Sequence, residues 1–291
     1  MKDYEILGID IGNALIKSSS GIVFESKITT IEPLNATDSV AINGVTYYLR
    51  HGDYDTTYRK IDKKYYIPML LSSIALSSDK PVCLILGLPL SQYREDKAQL
   101  IDIVMKNSST SIELNGFVKD LNIIDVDVFP EGVVTLEESF QGVVVDIGGR
   151  TTDCALITNI REARKINNPL SLPYGTINLY GDIVKTLNKE FSLDLNLGDA
   201  ERIITSGLYL DGKKQSIDFI EEIYKNFAEK IVNSLRVEYS TRTNFISLTG
   251  GGSSILYRYI KKILGDGVIL QENPIMANVK AYYELGCEIW R

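Results

Sequence analysis

The sequence predicts an α/β protein made of two similar halves, and three observations carry that prediction. The chain has 291 residues, which at roughly 150 residues per domain is about two domains. Short apolar runs bounded by Gly or Pro alternate with stretches of helical period, the pattern of buried strands covered by helices. One segment also repeats: GIDIGNALIKSS, from Gly8, and VVVDIGGRTTDCALI, from Val143, share a strand, an Asp-Ile-Gly and a turn into a second strand, about 136 positions apart. That spacing describes two half-molecules, since solenoid repeats have periods of about 20–50 residues.

The elements follow in order. Glu5 to Ile11 reads as a buried strand. From Ile28 to Tyr66 the composition shifts to Thr, Tyr, Asp and Asn, with a turn at Asn43-Gly44 between two short strands, which predicts a small inserted subdomain. Val82–Leu86, Val143–Ile147 and Phe245–Thr249 are three further buried strands. Apolar residues at Ile217, Ile220, Ile223, Phe227, Ile231 and Leu235 step by three and four, a helix face with Ser216 as its N-cap. A helix is expected from Ser253 to Leu264, with Gly265 just beyond it. Another follows Asn273-Pro274 and stops near Gly286.

Composition excludes several classes of function. Thirty-eight acidic against thirty-one basic residues leave a net charge of −7, which argues against a broad hold on nucleic-acid phosphates. His51 is the single histidine, so a multi-histidine metal site is impossible. Cys83, Cys154 and Cys287 are far apart and form no C-x-x-C pair, which excludes a disulfide framework or zinc ribbon and points to a reducing, cytoplasmic setting. The longest apolar run, Val82 to Leu90, falls far short of the ~20 residues that span a bilayer, and no membrane partner is expected.

The chemistry sits in the repeat. In both copies glycines (Gly12, then Gly148 and Gly149) directly follow an apolar strand bearing Asp10 or Asp146. Glycine there allows a tight turn and lets backbone N–H groups approach an anion. A carboxylate would repel that anion, so the aspartates make sense if a divalent cation stands between them and a phosphate. Lys17, seven residues after Asp10, would lie on the next strand and reach the same phosphate. A third glycine run, Gly250-Gly251-Gly252, follows the strand ending at Thr249 and opens a helix, a place suited to the polar parts of a nucleotide. Each motif alone is usually just a hairpin or a strand–helix turn. Together, in this order, they predict one phosphate site, and no P-loop or G-x-G-x-x-G after a strand competes with them.

These residues resemble those of the actin-like ATPases, of the actin, sugar-kinase and DnaK-type chaperone superfamily, and within it the ParM-like plasmid-segregation filament proteins. The first phosphate motif is similar at Asp10, Gly12, Asn13 and Lys17; the second at Asp146, Gly148, Gly149, Thr151, Thr152 and Asp153; the adenosine motif at Thr249 and Gly250 to Gly252. Pro130-Glu131-Gly132 resembles the start of the first connecting helix, and Asn273 to Gly286 the second. LGLPLSQYRED, after the strand at Val82, resembles a segment of the ParM-like branch. Arg150 departs from the pattern, standing where many relatives carry a small or hydroxyl residue.

The resemblance implies two ribonuclease H-like α/β domains around a nucleotide cleft: domain I over 1–145 with an insertion at about 28–80, domain II over 146–272, and a C-terminal helix over 273–291 returning to domain I. It implies Mg2+ and ATP or ADP as cofactors, with Asp10 and Asp146 holding the metal through water. Lys17 and the turns at Gly12-Asn13 and Gly148-Gly149, with Thr151, would clamp the phosphates. Glu131 would orient the attacking water, with help from Asp153; a first-turn helix carboxylate is the alternative for Glu131. Gly175 would let the backbone approach the nucleotide. Glu201 and Arg202 would lie near ribose and adenine, although a solvated, salt-bridged helix face explains them too. The implied function is ATP-driven polymerisation into filaments that segregate plasmid DNA through a DNA-binding adaptor. An FtsA- or PilM-like scaffold and a small-molecule kinase of the same superfamily are the alternatives.

Overall fold

The computed structural model describes residues 3–55, 57–160 and 163–290. In chain order it holds β1 (Glu5–Ile11), β2 (Leu15–Ser18), β3 (Val23–Glu25), β4 (Lys27–Thr29), β5 (Ser39–Ile42), β6 (Val45–Tyr54), α1 (Tyr66–Ser77), β7 (Val82–Leu88), α2 (Leu90–Met105), β8 (Ser109–Leu114) and β9 (Phe117–Pro130). There follow β10 (Gly142–Ile147), β11 (Thr152–Ile160), β12 (Ala163–Leu172), α3 (Thr176–Phe191), α4 (Asp199–Ser206), β13 (Leu208–Leu210) and β14 (Lys213–Gln215). The chain ends with α5 (Phe219–Glu238), β15 (Phe245–Thr249), α6 (Gly251–Leu264), β16 (Val268–Leu270) and α7 (Ala277–Trp290). Two units result, Met1–Phe140 with Glu272–Arg291, and Gln141–Gln271.

The first unit is built on a nine-stranded sheet in the order β3-β2-β1-β7-β9-β8-β5-β6-β4. The β7 run VCLILGL is buried at every position, as a central parallel strand covered on both faces must be. β9 pairs with β8 over Phe117–Asn122 and with β7 from Ile123 onward, so one long strand joins two stretches of sheet. Leu70, Leu71, Leu84, Leu86 and Val128 share the core beneath it, and α7 packs on β1 and β7.

The second unit has a five-stranded sheet in the order β12-β11-β10-β15-β16. Its two antiparallel pairs followed by two parallel pairs reproduce the β3-β2-β1-β7-β9 part of the first unit. The sequence repeat is therefore a repeat of topology, and the expected pair of similar α/β halves is what the chain forms. The turn at Asn43-Gly44 is also present, with φ of 50° and 78° suiting a tight hairpin.

Several boundaries differ from the sequence expectation. The units divide after Phe140, not after residue 145, because β10 pairs with β11 and β15 and belongs to the second sheet whole. The insertion at about 28–80 is not a separate body. Its strands extend the main sheet through β8, and α1 lays Met69, Leu70 and Ile74 into the main core. Asp218, not Ser216, precedes α5, and the Ser216 hydroxyl donates to the Asp218 carboxylate at 2.7 Å. After Pro130 comes only a short 3-10 turn, Val133–Thr135, in place of the expected connecting helix. The last helix starts at Ala277 and runs through Gly286 to Trp290. A Cβ at Gly286 would stand 2.5 Å from Ile6 Cγ2 on β1, so this glycine serves close packing and does not end the helix.

Candidate functional site

In the first unit the candidate residues gather at the C-terminal ends of β1, β7 and β9, the edge at which open parallel sheets present ligands. Asp10 stands near the end of β1 and is 5% exposed. Its cross-strand neighbour on β2 is Lys17, and Lys17 Nζ reaches Asp10 Oδ2 at 2.8 Å. The turn between them closes with the Gly12 N–H donating to the Leu15 carbonyl at 3.1 Å. Asn13 sits in that turn with a buried Oδ1 that has no hydrogen-bond partner among the described residues.

Glu131 follows the end of β9, and its N–H donates to the Leu88 carbonyl at the end of β7 at 2.9 Å. Gly132 takes φ of 73° and donates its N–H to Asn278 Oδ1 of α7 at 2.9 Å. The carboxylate is therefore positioned by two strands and a helix, although no α-helix begins at this point.

Lys60, which the sequence did not single out, ties this edge together. Its ammonium is 3% exposed and donates to Asp10 Oδ1 at 3.2 Å, to the Gly87 carbonyl at 3.3 Å, and to Glu131 Oε1. Burial disfavours that charge, but the Glu131 and Asp10 carboxylates outweigh it and raise Lys60 above the ordinary lysine range. Burial likewise works against an ionised Asp10, while Lys17 and Lys60 hold it well below the ordinary carboxylate range. Lys63, on the same short turn, is 5% exposed. Burial and then the Lys60 ammonium push it down to about 8. In the sequence RKIDKKYY these lysines look like a solvated charge run, and only the three-residue spacing of Lys60 and Lys63, one turn of a 3-10 helix, hints at a shared face.

In the second unit the matching turn closes the same way, with the Gly148 N–H donating to the Thr151 carbonyl at 2.9 Å. Asp146 and Asp153 are cross-strand neighbours, at 7% and 4% exposure, and the Thr151 hydroxyl donates to Asp153 Oδ2 at 2.8 Å. Gly250, with φ of 82°, could carry no Cβ, which would stand 2.2 Å from Asp146 Oδ1. The glycine run at the start of α6 therefore seats against the metal-candidate carboxylate. Gly252 packs under it on Ile147, with Gly251 opening the helix. Gly175 meets the other turn: a Cβ would lie 2.4 Å from the Gly148 carbonyl and 2.6 Å from that of Gly149. Those carbonyls accept the N–H groups of Thr176 and Ile177 at 3.0 and 2.8 Å. The close approach at Gly175 is thus to the glycine turn.

Glu201 and Arg202 lie on the exposed face of α4. Arg202 pairs with Asp199 at 2.9 Å, and the Glu201 charge acts on Tyr180 of α3. Arg150 is half-buried in its turn.

The donors suit a hydrated magnesium ion better than a closed metal cage. No cluster of three or more metal-binding His, Cys, Asp or Glu side chains occurs among the described residues. Instead, each unit offers strand carboxylates beside a glycine turn. Buried polar atoms without partners among the described residues stand nearby, Asn13 Oδ1 in one unit and Thr249 Oγ1, on the strand paired with Asp146, in the other. Magnesium characteristically keeps several of its waters and takes one or two carboxylates, and such waters would supply hydrogen bonds to these atoms.

Two family models match the chain, "Actin like proteins N terminal domain" over residues 8–133 and "Archaeal actin homologue MreB-like, C-terminal" over residues 144–262. The chain is an actin-like protein. No curated protein matches it. Among solved structures, a pCBH ParM described as a non-polymerisable quadruple mutant is similar at a TM-score of 0.81 and 18% identity, covering 98% of this chain and 99% of that one. The archaeal actin homologue Ta0583 in complex with ADP is similar at 0.81 and 18%, with the same coverage. A 15-stranded ParM filament from Clostridium botulinum is similar at 0.75 and 20%, covering 97% and 99%. At these identities the likeness is one of fold, and it bears out the actin-like, ParM-like architecture expected from the sequence. Among the described residues of this actin-like chain, no helix is long and apolar enough to cross a membrane.

Proposed function

We propose that this actin-like protein binds Mg-ATP, assembles with it into filaments, and hydrolyses it so that the filaments come apart. The observation that carries this reading is the buried Asp10–Lys60–Glu131 cluster across the ends of β1, β7 and β9. It holds a carboxylate suited to orienting water close to one suited to a hydrated metal. Magnesium, held through water by Asp10 and Asp146, would neutralise charge on the transferring phosphate. Lys17 and the Gly12-Asn13 turn in one unit, and Gly148, Gly149 and Thr151 in the other, bind phosphate oxygens. Gly250 to Gly252 accept the nucleoside end. Glu131 orients the attacking water while Lys60, on Oε1, fixes the carboxylate. Phosphoryl transfer asks mainly for such positioning and charge stabilisation.

The filament part of the reading is supported by the actin-like family models and by the fold shared with a ParM filament. We further infer a role in moving plasmid DNA, reached through a DNA-binding adaptor, a reading that suits the net charge of −7. The direct test is sedimentation of the purified protein with Mg-ATP, Mg-ADP or no nucleotide, alongside phosphate release. Polymer that pellets with ATP and releases phosphate supports the proposal. Phosphate release that needs a small-molecule acceptor, without polymer, would favour a kinase.

A further inference from the structure

Buried cations are ordinarily paired, because an ammonium taken out of water without a partner is strongly disfavoured. Lys63 departs from that rule. It is 5% exposed, and its Nζ has no hydrogen-bond partner among the described residues. It lies one 3-10 turn beyond Lys60, whose carbonyl accepts the Lys63 N–H at 3.3 Å. The charges acting on it are those of Lys60, Asp55, Glu131 and Asp10. Asp55, the carboxylate that acts on it most strongly, uses Oδ1 to accept the Thr57 N–H at 2.9 Å.

The first unit's site carries three lysines, Lys17, Lys60 and Lys63, with the carboxylates of Asp10 and Glu131 and, acting on Lys63, that of Asp55. Lys17 closes on Asp10, and Lys60 on both Asp10 and Glu131. The Lys63 ammonium, opposed in charge most strongly by Asp55, has no hydrogen-bond partner among the described residues, and an anion at the site would supply one.

We propose that Lys63 is a binding residue for the terminal phosphoryl group of a nucleoside triphosphate and lets this site tell triphosphate from diphosphate. The proposal rests on the nucleotide reading above. A diphosphate lacks the group that would satisfy the ammonium, so Lys63 contributes to binding only when the terminal phosphate is present. The turn that carries Lys63 also carries Lys60, the positioning residue on Glu131. The inserted segment thereby registers the same phosphate whose hydrolysis Glu131 assists.

Lys63→Met removes the charge and keeps most of the side-chain volume. Calorimetry would compare wild type and variant with Mg-ADP and with the magnesium complex of a non-hydrolysable ATP analogue, and thermal unfolding would be followed without nucleotide. Affinity for the analogue should fall by about 10- to 100-fold, the range for losing a hydrogen bond to a charged group, while ADP affinity stays within about twofold. The nucleotide-free variant should unfold at a higher temperature than wild type, since an unpaired buried charge is gone. Equal losses for both nucleotides, or no loss for the analogue, would overturn the proposal. So would a lower unfolding temperature matched by Asp55→Asn, which would make Lys63 a structural partner of Asp55. Wild-type protein that binds neither nucleotide would overturn the nucleotide reading itself, and this inference with it.

Discussion

Asp146 and Asp153 face each other in register across β10 and β11, at the positions where the first unit's repeat holds Asp10 and Lys17. In the first unit the pair closes as a salt bridge at 2.8 Å. In the second, two buried carboxylates share one face of the sheet, and like charges directly opposite one another are unfavourable on their own. One strand–turn–strand frame thus presents a carboxylate–ammonium pair in one unit and two facing carboxylates in the other.

On the proposed function, Asp146 should bind nucleotide through magnesium. Asp146→Ala is expected to weaken nucleotide binding sharply when magnesium is present and to change it little when magnesium is chelated. Calorimetry with Mg-ATP, repeated with excess chelator, measures both. Unchanged Mg-ATP affinity in the variant would remove Asp146 from the metal site.

Glu131 should act on hydrolysis more than on binding. Glu131→Ala is expected to hold nucleotide with near-wild-type affinity while phosphate release falls by ~10²-fold or more, the scale of losing a positioned acid–base group. Release at the wild-type rate would move the water-orienting role to Asp153.

Much of this was legible in the sequence because strand and turn chemistry are local. Asp10, Gly12 and Lys17 lie within eight positions and read as strand, turn and strand, and the structure pairs Asp10 with Lys17. Lys60 and Lys63 were not legible. Their burial depends on a turn brought to the ends of β1, β7 and β9 by long-range contacts, to Asp10 fifty positions away and to Glu131 seventy-one away. Gly175 was legible as a close approach, but its partner, the Gly148-Gly149 turn, was not. Helix limits failed where packing overrode punctuation, as at Gly286 against Ile6.

Gly87 offers a test of how tightly the first unit's edge is assembled. A Cβ there would stand 1.9 Å from the Tyr282 hydroxyl and 3.1 Å from Glu131 Cγ. Gly87→Ala should destabilise the protein by about 1–3 kcal/mol, the usual cost of overpacking a core, and Tyr282→Phe in the same chain should recover part of the loss. Chemical denaturation of the single and double variants reads this. Equal stability of Gly87→Ala and wild type would mean that α7 is free to shift.

Lys63 predicts a pH dependence whose sign is fixed. Burial, with Lys60 beside it and Asp55, Glu131 and Asp10 opposing, holds the folded-state value at about 8 against an ordinary value of 10.5. Between those values the unfolded chain binds more protons, so stability rises with pH. Relative to Lys63→Met, wild type should be less stable at pH 7 and should close the gap progressively above pH 8. A gap that stays constant from about pH 7 to about pH 10 would show that Lys63 is not held down.

The central claim is that the terminal phosphate sustains the polymer and its hydrolysis times disassembly. A nucleotide can shift such an equilibrium only by its differential affinity for the two states. Light scattering of wild type and Glu131→Ala after a limited addition of Mg-ATP, with pelleting at intervals, follows polymer directly. Both proteins should polymerise, and Glu131→Ala polymer should persist long after the wild-type signal has decayed. Glu131→Ala filaments that decay as fast as wild type would contradict the account.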